Sequence, residues 1–172
     1  MKINLELIQV HKQLYEDSCI PMSVECVLKL LNLMPIDDFS LQSNKANSRK
    51  SDWVKGYKHP YSNSKVKFSR EFELSDYGVL PVRGDHFIKD YFEDLFKTID
   101  NELACNRFVI ISLDYDSNFH MEVIFNKIND NEYETITYSY KQPIHQINKH
   151  NLRQRVLNLK GTDILTYKLI TP

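Results

Sequence analysis

An α+β fold, helices packed against an antiparallel sheet, follows from three features of this sequence: a helix-length apolar run from Pro21, an apolar stripe at helical spacing from Phe87, and a series of short strand-like runs from Arg107 onward. The first helix carries Met22, Val24, Cys26, Val27, Leu28, Leu30, Leu31 and Leu33. It is apolar almost all round, as in a helix at the centre of a core. Pro21 suits the first turn, where a missing N–H costs nothing, and Asn32 and Pro35 mark the stop. A polar stretch follows, rich in Asn, Ser and Lys, with a strand expected only at its tail, 65–74. Asp85 can cap a second helix whose stripe is Phe87, Ile88, Tyr91, Phe92, Leu95, Phe96, Ile99 and Leu103. RFVIISL (107–113) reads as a buried strand, DYDSN as a turn, HMEVIFN (120–126) as a second strand, NDN (129–131) as a hairpin tip and EYETITYSY (132–140) as a third strand. A short helix over 149–159 should end at Gly161, and DILTYKLI (163–170) closes the chain as a last strand. The strands read as an antiparallel meander.

The chain has 172 residues, enough for one domain, with 42% hydrophobic and 12% aromatic residues. That composition excludes disorder along the whole length. No apolar run is long enough to cross a bilayer, and the N-terminus lacks the pattern of a secretory signal, so a cytoplasmic location is expected, with leaderless secretion as the other route. Three cysteines, an odd number, point to a reducing compartment with free thiols. Only four glycines are present, and no phosphate-cradling glycine loop occurs. Net charge is −1, but residues 41–70 hold eight basic side chains (Lys45, Arg49, Lys50, Lys55, Lys58, Lys65, Lys67, Arg70) against one acid, Asp52. A local basic zone thus sits on an acidic body.

The chemistry-bearing residues are Gln13, Cys19 and His120. Cys19 stands at the mouth of the first strong helix, where the helix dipole and unpaired backbone N–H groups favour thiolate over thiol. A nucleophilic thiol needs a proton-exchanging partner, usually histidine. Of six histidines, His120 is best placed, because it opens a strand that follows a buried one. Gln13, six residues before Cys19, can offer its amide N–H beside the Cys19 N–H to a developing oxyanion. Cys26 belongs to the apolar helix and reads as core, and Cys105 reads as packing. His11 and His86 read as caps or surface groups, while His59, His145 and His150 lie in polar stretches. Neither CxxC nor HxxxH is present, so no metal and no cofactor is expected. Each candidate also has a plain reading: Cys19 as a small buried hydrophobe, His120 as a residue at a strand edge, Gln13 as surface.

The run QLYEDSCIPMSVECVLKLL, from Gln13 to Leu31, resembles the catalytic-helix motif of papain-like cysteine peptidases, and most closely their bacteriocin-processing, leader-cleaving branch. The downstream order of helix, buried strand, His-led strand, hairpin, strand, short helix and strand is similar to that branch. The likeness covers about residues 10–40 and 85–170, and the basic zone at about 41–70 resembles an insertion. It implies one papain-like domain over 1–172, with Cys19 as nucleophile, His120 as base and then acid, and Gln13 with the Cys19 N–H as oxyanion hole. Two departures stand out. Ile20 follows the cysteine where the family has Gly. The stretch 135–139 has no carboxylate to orient the imidazole, so Thr137 is the first candidate for that role, then Ser139 and Gln142.

The substrate implied by the resemblance is an amide bond in a peptide or protein, cut by a processing peptidase or a bacterial effector. The same constellation serves deamidases, transglutaminases and acyltransferases. Two other classes stay open: a catalytically degenerate module that binds peptide or protein, and a nucleic-acid binder using Lys45–Arg70 with Trp53, Tyr57, Tyr61 and Phe68 interleaved. No membrane partner is expected.

Overall fold

The computed structural model describes residues 5–43, 66–72, 85–116, 118–138 and 142–169. Its elements are α1 (Leu5–Val10), α2 (Cys19–Leu30), β1 (Val66–Phe72), α3 (Asp85–Ala104), β2 (Val109–Tyr115), β3 (Asn118–Asn129), β4 (Glu132–Ile136), β5 (Ile144–Asn148), α4 (Lys149–Asn158) and β6 (Ile164–Leu169). The basic zone over 44–65, with His59, and also Ser139 lie outside the described residues, as do the side chains of Asp85, His86, Lys67, Phe68 and Arg70.

The six strands form one antiparallel sheet in the order β1-β6-β2-β3-β4-β5. The expected α+β class is therefore present, but the sheet is more than a meander. Strands β2 to β5 follow one another, whereas β6 returns to the far side of β2, pairing Ile110 with Leu165 and Ile111 with Ile164, and β1 lies outside it. Strand β5, read only as a polar stretch, extends the other edge. The lead-in before the first strong helix also holds a helix of its own, α1, which buries Leu7 and Ile8.

The sheet is apolar on both faces because its strands alternate. Ile110, Met121, Val123, Ile136 and Leu165 face α2 and join Ile20, Val24, Val27 and Leu28 in one core. Val109, Ile111, Leu113, Ile124, Tyr133 and Ile164 face the other way, against Tyr91, Phe92, Leu95 and Ile99 of α3 and Leu152 and Val156 of α4. From Tyr91 onward, the stripe predicted for the second helix is the face that α3 buries there, while the side chains of Phe87 and Ile88 lie outside the described residues.

Helix ends follow local chemistry. Asn32 takes a left-handed φ of 56° just past α2, and the Leu33 N–H returns to the Leu28 carbonyl. At the end of α4 the expected Gly161 is not the left-handed residue of the cap. Lys160 takes that position (φ 62°), its N–H bonding to Leu157 O, and Gly161 comes one later, its N–H bonding to Val156 O. This pair of bonds is a Schellman motif. Among the described residues no helix is long and apolar enough to cross a membrane.

Candidate active site

Cys19 is the first residue of α2 and Pro21 lies in its first turn, as expected. The thiol is 7% exposed and belongs to the α2-side core, yet it also borders a cleft of about 760 Å³. His120, 6% exposed, borders the same cleft, together with Gln13 and Tyr138. The cleft opens where β2 ends and β3 begins, at Tyr115 and Asn118. The sheet thus brings three of the sequence-predicted residues to one opening.

Their orientations differ. Alternation along β3 puts Met121 and Val123 on the α2 face, so His120 and Glu122 share the α4 face. His120 Nε2 lies 2.8 Å from Thr137 Oγ1, and Thr137 is fully buried just beyond β4. The hydroxyl chosen from sequence is therefore the group on Nε2 of the ring; Gln142 is an exposed residue before β5. Burial pulls the His120 pKa below its ordinary value; Glu122 opposes that shift and Arg155 adds to it. The Arg155 Nη2 donates to Glu122 Oε1 at 2.6 Å and its Nε to the Asp114 carbonyl at 2.8 Å, so the buried Glu122 is paired. Neither Glu122 nor Arg155 could be singled out from sequence. The one available signal was a charged residue two places along from His120 within an apolar strand.

Gln13 is in the cleft but its amide is engaged. Nε2 donates to the carbonyls of Tyr15 and Glu16, at 2.8 and 2.9 Å. Both N–H bonds of the Gln13 amide therefore brace the turn that leads into α2.

That turn is held by a polar network that an apolar reading of α2 did not anticipate. Glu25 and Lys29 are fully buried within the helix. Glu25 accepts from the backbone N–H groups of Leu41 and Gln42 and, at 2.6 Å, from Gln42 Nε2. Gln42 then ties the loop: its Oε1 accepts from Leu14 N–H and Ser18 O–H, and its Nε2 also donates to the Lys12 carbonyl. Burial raises the Glu25 pKa, against the bonds from Gln42 and the charge of Lys29.

His11, expected as a cap or surface group, is instead buried. Its Nε2 lies 3.0 Å from the Met22 carbonyl and its Nδ1 3.0 Å from Lys29 Nζ. A carbonyl can only accept and an ammonium only donate, so the proton sits on Nε2 and Nδ1 receives Lys29. Burial first, then Lys29, pulls the His11 pKa from 6.5 to about 3.

Of the remaining cysteines, Cys26 is core as expected, fully buried and pushed up to about 12 by burial. Cys105 corrects the expectation of packing: it is exposed in the turn after α3, where the chain has already left the core. No group of three or more His, Cys, Asp or Glu among the described residues could hold a metal ion. Comparison with family models, with curated proteins and with solved structures finds no match for this chain.

Proposed function

We propose that the chain is a papain-like cysteine peptidase or a related thiol acyl-transfer enzyme, acting on an amide bond in a peptide or protein. The observation that carries this is a single cleft bordered by a cysteine at a helix start and by a histidine whose Nε2 rests on a buried hydroxyl. With Thr137 Oγ1 accepting from Nε2–H, the lone pair of the imidazole is on Nδ1. Nδ1 takes the Cys19 thiol proton as sulfur attacks the carbonyl carbon; the Cys19 N–H, at the start of α2, faces the developing oxyanion. The imidazolium returns its proton to the departing amine, leaving a thioester. Water or another amine then opens the thioester, and its proton passes back through Nδ1. Burial disfavours the imidazolium form of His120, which favours return of its proton to the departing amine.

The orientation of His120 favours a second reading, a peptide-binding module that has lost its chemistry. His120 shares a sheet face with Glu122, whereas Cys19 packs on the opposite face, and the Gln13 amide is occupied.

Modification with iodoacetamide, mapped by mass, separates the two. Cys105 serves as an exposed reference and Cys26 as a buried one. An enzyme should alkylate at Cys19 faster than at Cys105 near neutral pH, and His120→Ala should abolish that excess. Cys19 reacting more slowly than Cys105 would overturn the enzyme reading.

A further inference from the structure

The walls of the cleft sort by chemistry. Glu16 and Asp17, both exposed, stand on the α2 side, and no lysine or arginine is among the described residues that line it. Leu14, Tyr15 and Phe119 border the same cleft at 41, 49 and 43% exposure. Half of the large apolar side chains that the described residues leave open to solvent are thus gathered at one opening; the rest are Val10, Ile36 and Ile128. Apolar surface concentrated in this way marks a binding site rather than the scatter normal for a protein surface. Like charges beside low-dielectric walls focus the field into the cleft and attract the opposite charge. The loop that carries Leu14 to Asp17 is also pinned at both ends, through Leu14 N–H and Ser18 O–H on Gln42, so these groups are held in place before any ligand arrives.

We propose that the cleft selects peptide segments in which a lysine or arginine stands beside an aliphatic or aromatic residue. Glu16 and Asp17 take the cation, and Leu14, Tyr15 and Phe119 take the apolar side chain. This specificity rests on reading the cleft as the peptide site, but the binding itself requires nothing from the Cys19 sulfur.

The experiment uses the full chain carrying Cys19→Ser and two fluorescein-labelled octapeptides, followed by anisotropy at low and moderate salt. One peptide alternates lysine with leucine and phenylalanine; its twin has glutamate in place of each lysine. The lysine peptide should bind at least about tenfold more tightly, and the margin should shrink as salt rises. Glu16→Lys with Asp17→Lys should erase or reverse the preference. Asp130→Lys with Glu132→Lys, at the hairpin tip between β3 and β4, should leave it intact. Phe119→Ser should weaken both peptides by about tenfold. Equal binding of the twins overturns the inference, as does a preference that survives the cleft reversal. A preference lost equally in the hairpin-tip variant reduces it to general attraction by an acidic body, which also overturns it. The two readings can fail separately: a lysine preference without fast Cys19 alkylation in the parent sinks the peptidase alone, and fast alkylation without the preference sinks the specificity alone.

Discussion

Acidification from about pH 7.5 to about pH 5 should remove roughly 2 kcal/mol of stability through one side chain, His11. In the unfolded chain this imidazole titrates near 6.5, but in the fold it is held neutral down to about 3. Below pH 6.5 the unfolded state therefore binds a proton that the native state refuses, and stability falls as pH drops. The loss begins near 6.5 and stops growing only below 3. Integrating between those values gives about 2 kcal/mol at pH 5 and a limit of roughly 4 to 5 kcal/mol in stronger acid. Glu25 works in the opposite direction. Its raised pKa lets the native state take up a proton before the unfolded state does, a contribution present in acid and lost as pH rises through the native value. His11→Gln separates the two, since the amide can still donate toward Met22 O and accept from Lys29 but cannot titrate. Urea unfolding of both proteins at three pH values is the assay, read as the difference between them, in which Glu25 is common. The parent should lose about 2 kcal/mol relative to the variant between pH 7.5 and pH 5. A difference that stays flat to within about 0.5 kcal/mol would refute the placement of a neutral imidazole between Lys29 and Met22.

Gln42→Ala removes an amide that donates twice and accepts twice, so it should cost about 2 to 4 kcal/mol and also slow Cys19 alkylation as the loop loosens; urea titration and the mass-mapped rate check both. Arg155→Met strands the buried Glu122 and should cost about 3 kcal/mol, while Arg155→Met with Glu122→Met should recover most of it; a double variant no more stable than the single would count against a true buried pair. Thr137→Val takes the acceptor from His120 Nε2 at nearly constant volume. The ring should then titrate lower still, visible in the pH dependence of its NMR signals, and Cys19 alkylation near neutral pH should fall about tenfold.

Periodicity made the large elements legible. The stripe Tyr91, Phe92, Leu95 and Ile99 is what α3 buries, and the alternation in 107–126 is what gives the sheet two apolar faces. The contact of His120 with Thr137 was anticipated through the family resemblance, which puts an orienting group at the end of the strand after the His-led one. What escaped was long-range or short. Glu25 and Lys29 look like errors in an apolar helix until Gln42 and His11 arrive from outside it, and nothing local announces either partner. Strand β5 has five residues and no run of β-branched side chains; its hydrogen bonds to β4 make it a strand. Lys160 adopts a left-handed φ that sequence would give to glycine, because Gly161 is one place late and the two cap hydrogen bonds settle the register. Which sheet face His120 takes depends on which neighbours belong to α2, and that emerges only in three dimensions.

The saturated amide of Gln42 has a mechanical consequence. Most surface loops swing open at little free-energy cost. The one ahead of α2 is costlier to lift, since doing so would strip the Leu14, Ser18 and Lys12 partners from the Gln42 amide, which is itself bonded to the buried Glu25. One jaw of the cleft is therefore tied to the body of the molecule. The opposite jaw is built from the end of β2 and the start of β3, through Tyr115, Asn118, Phe119 and His120.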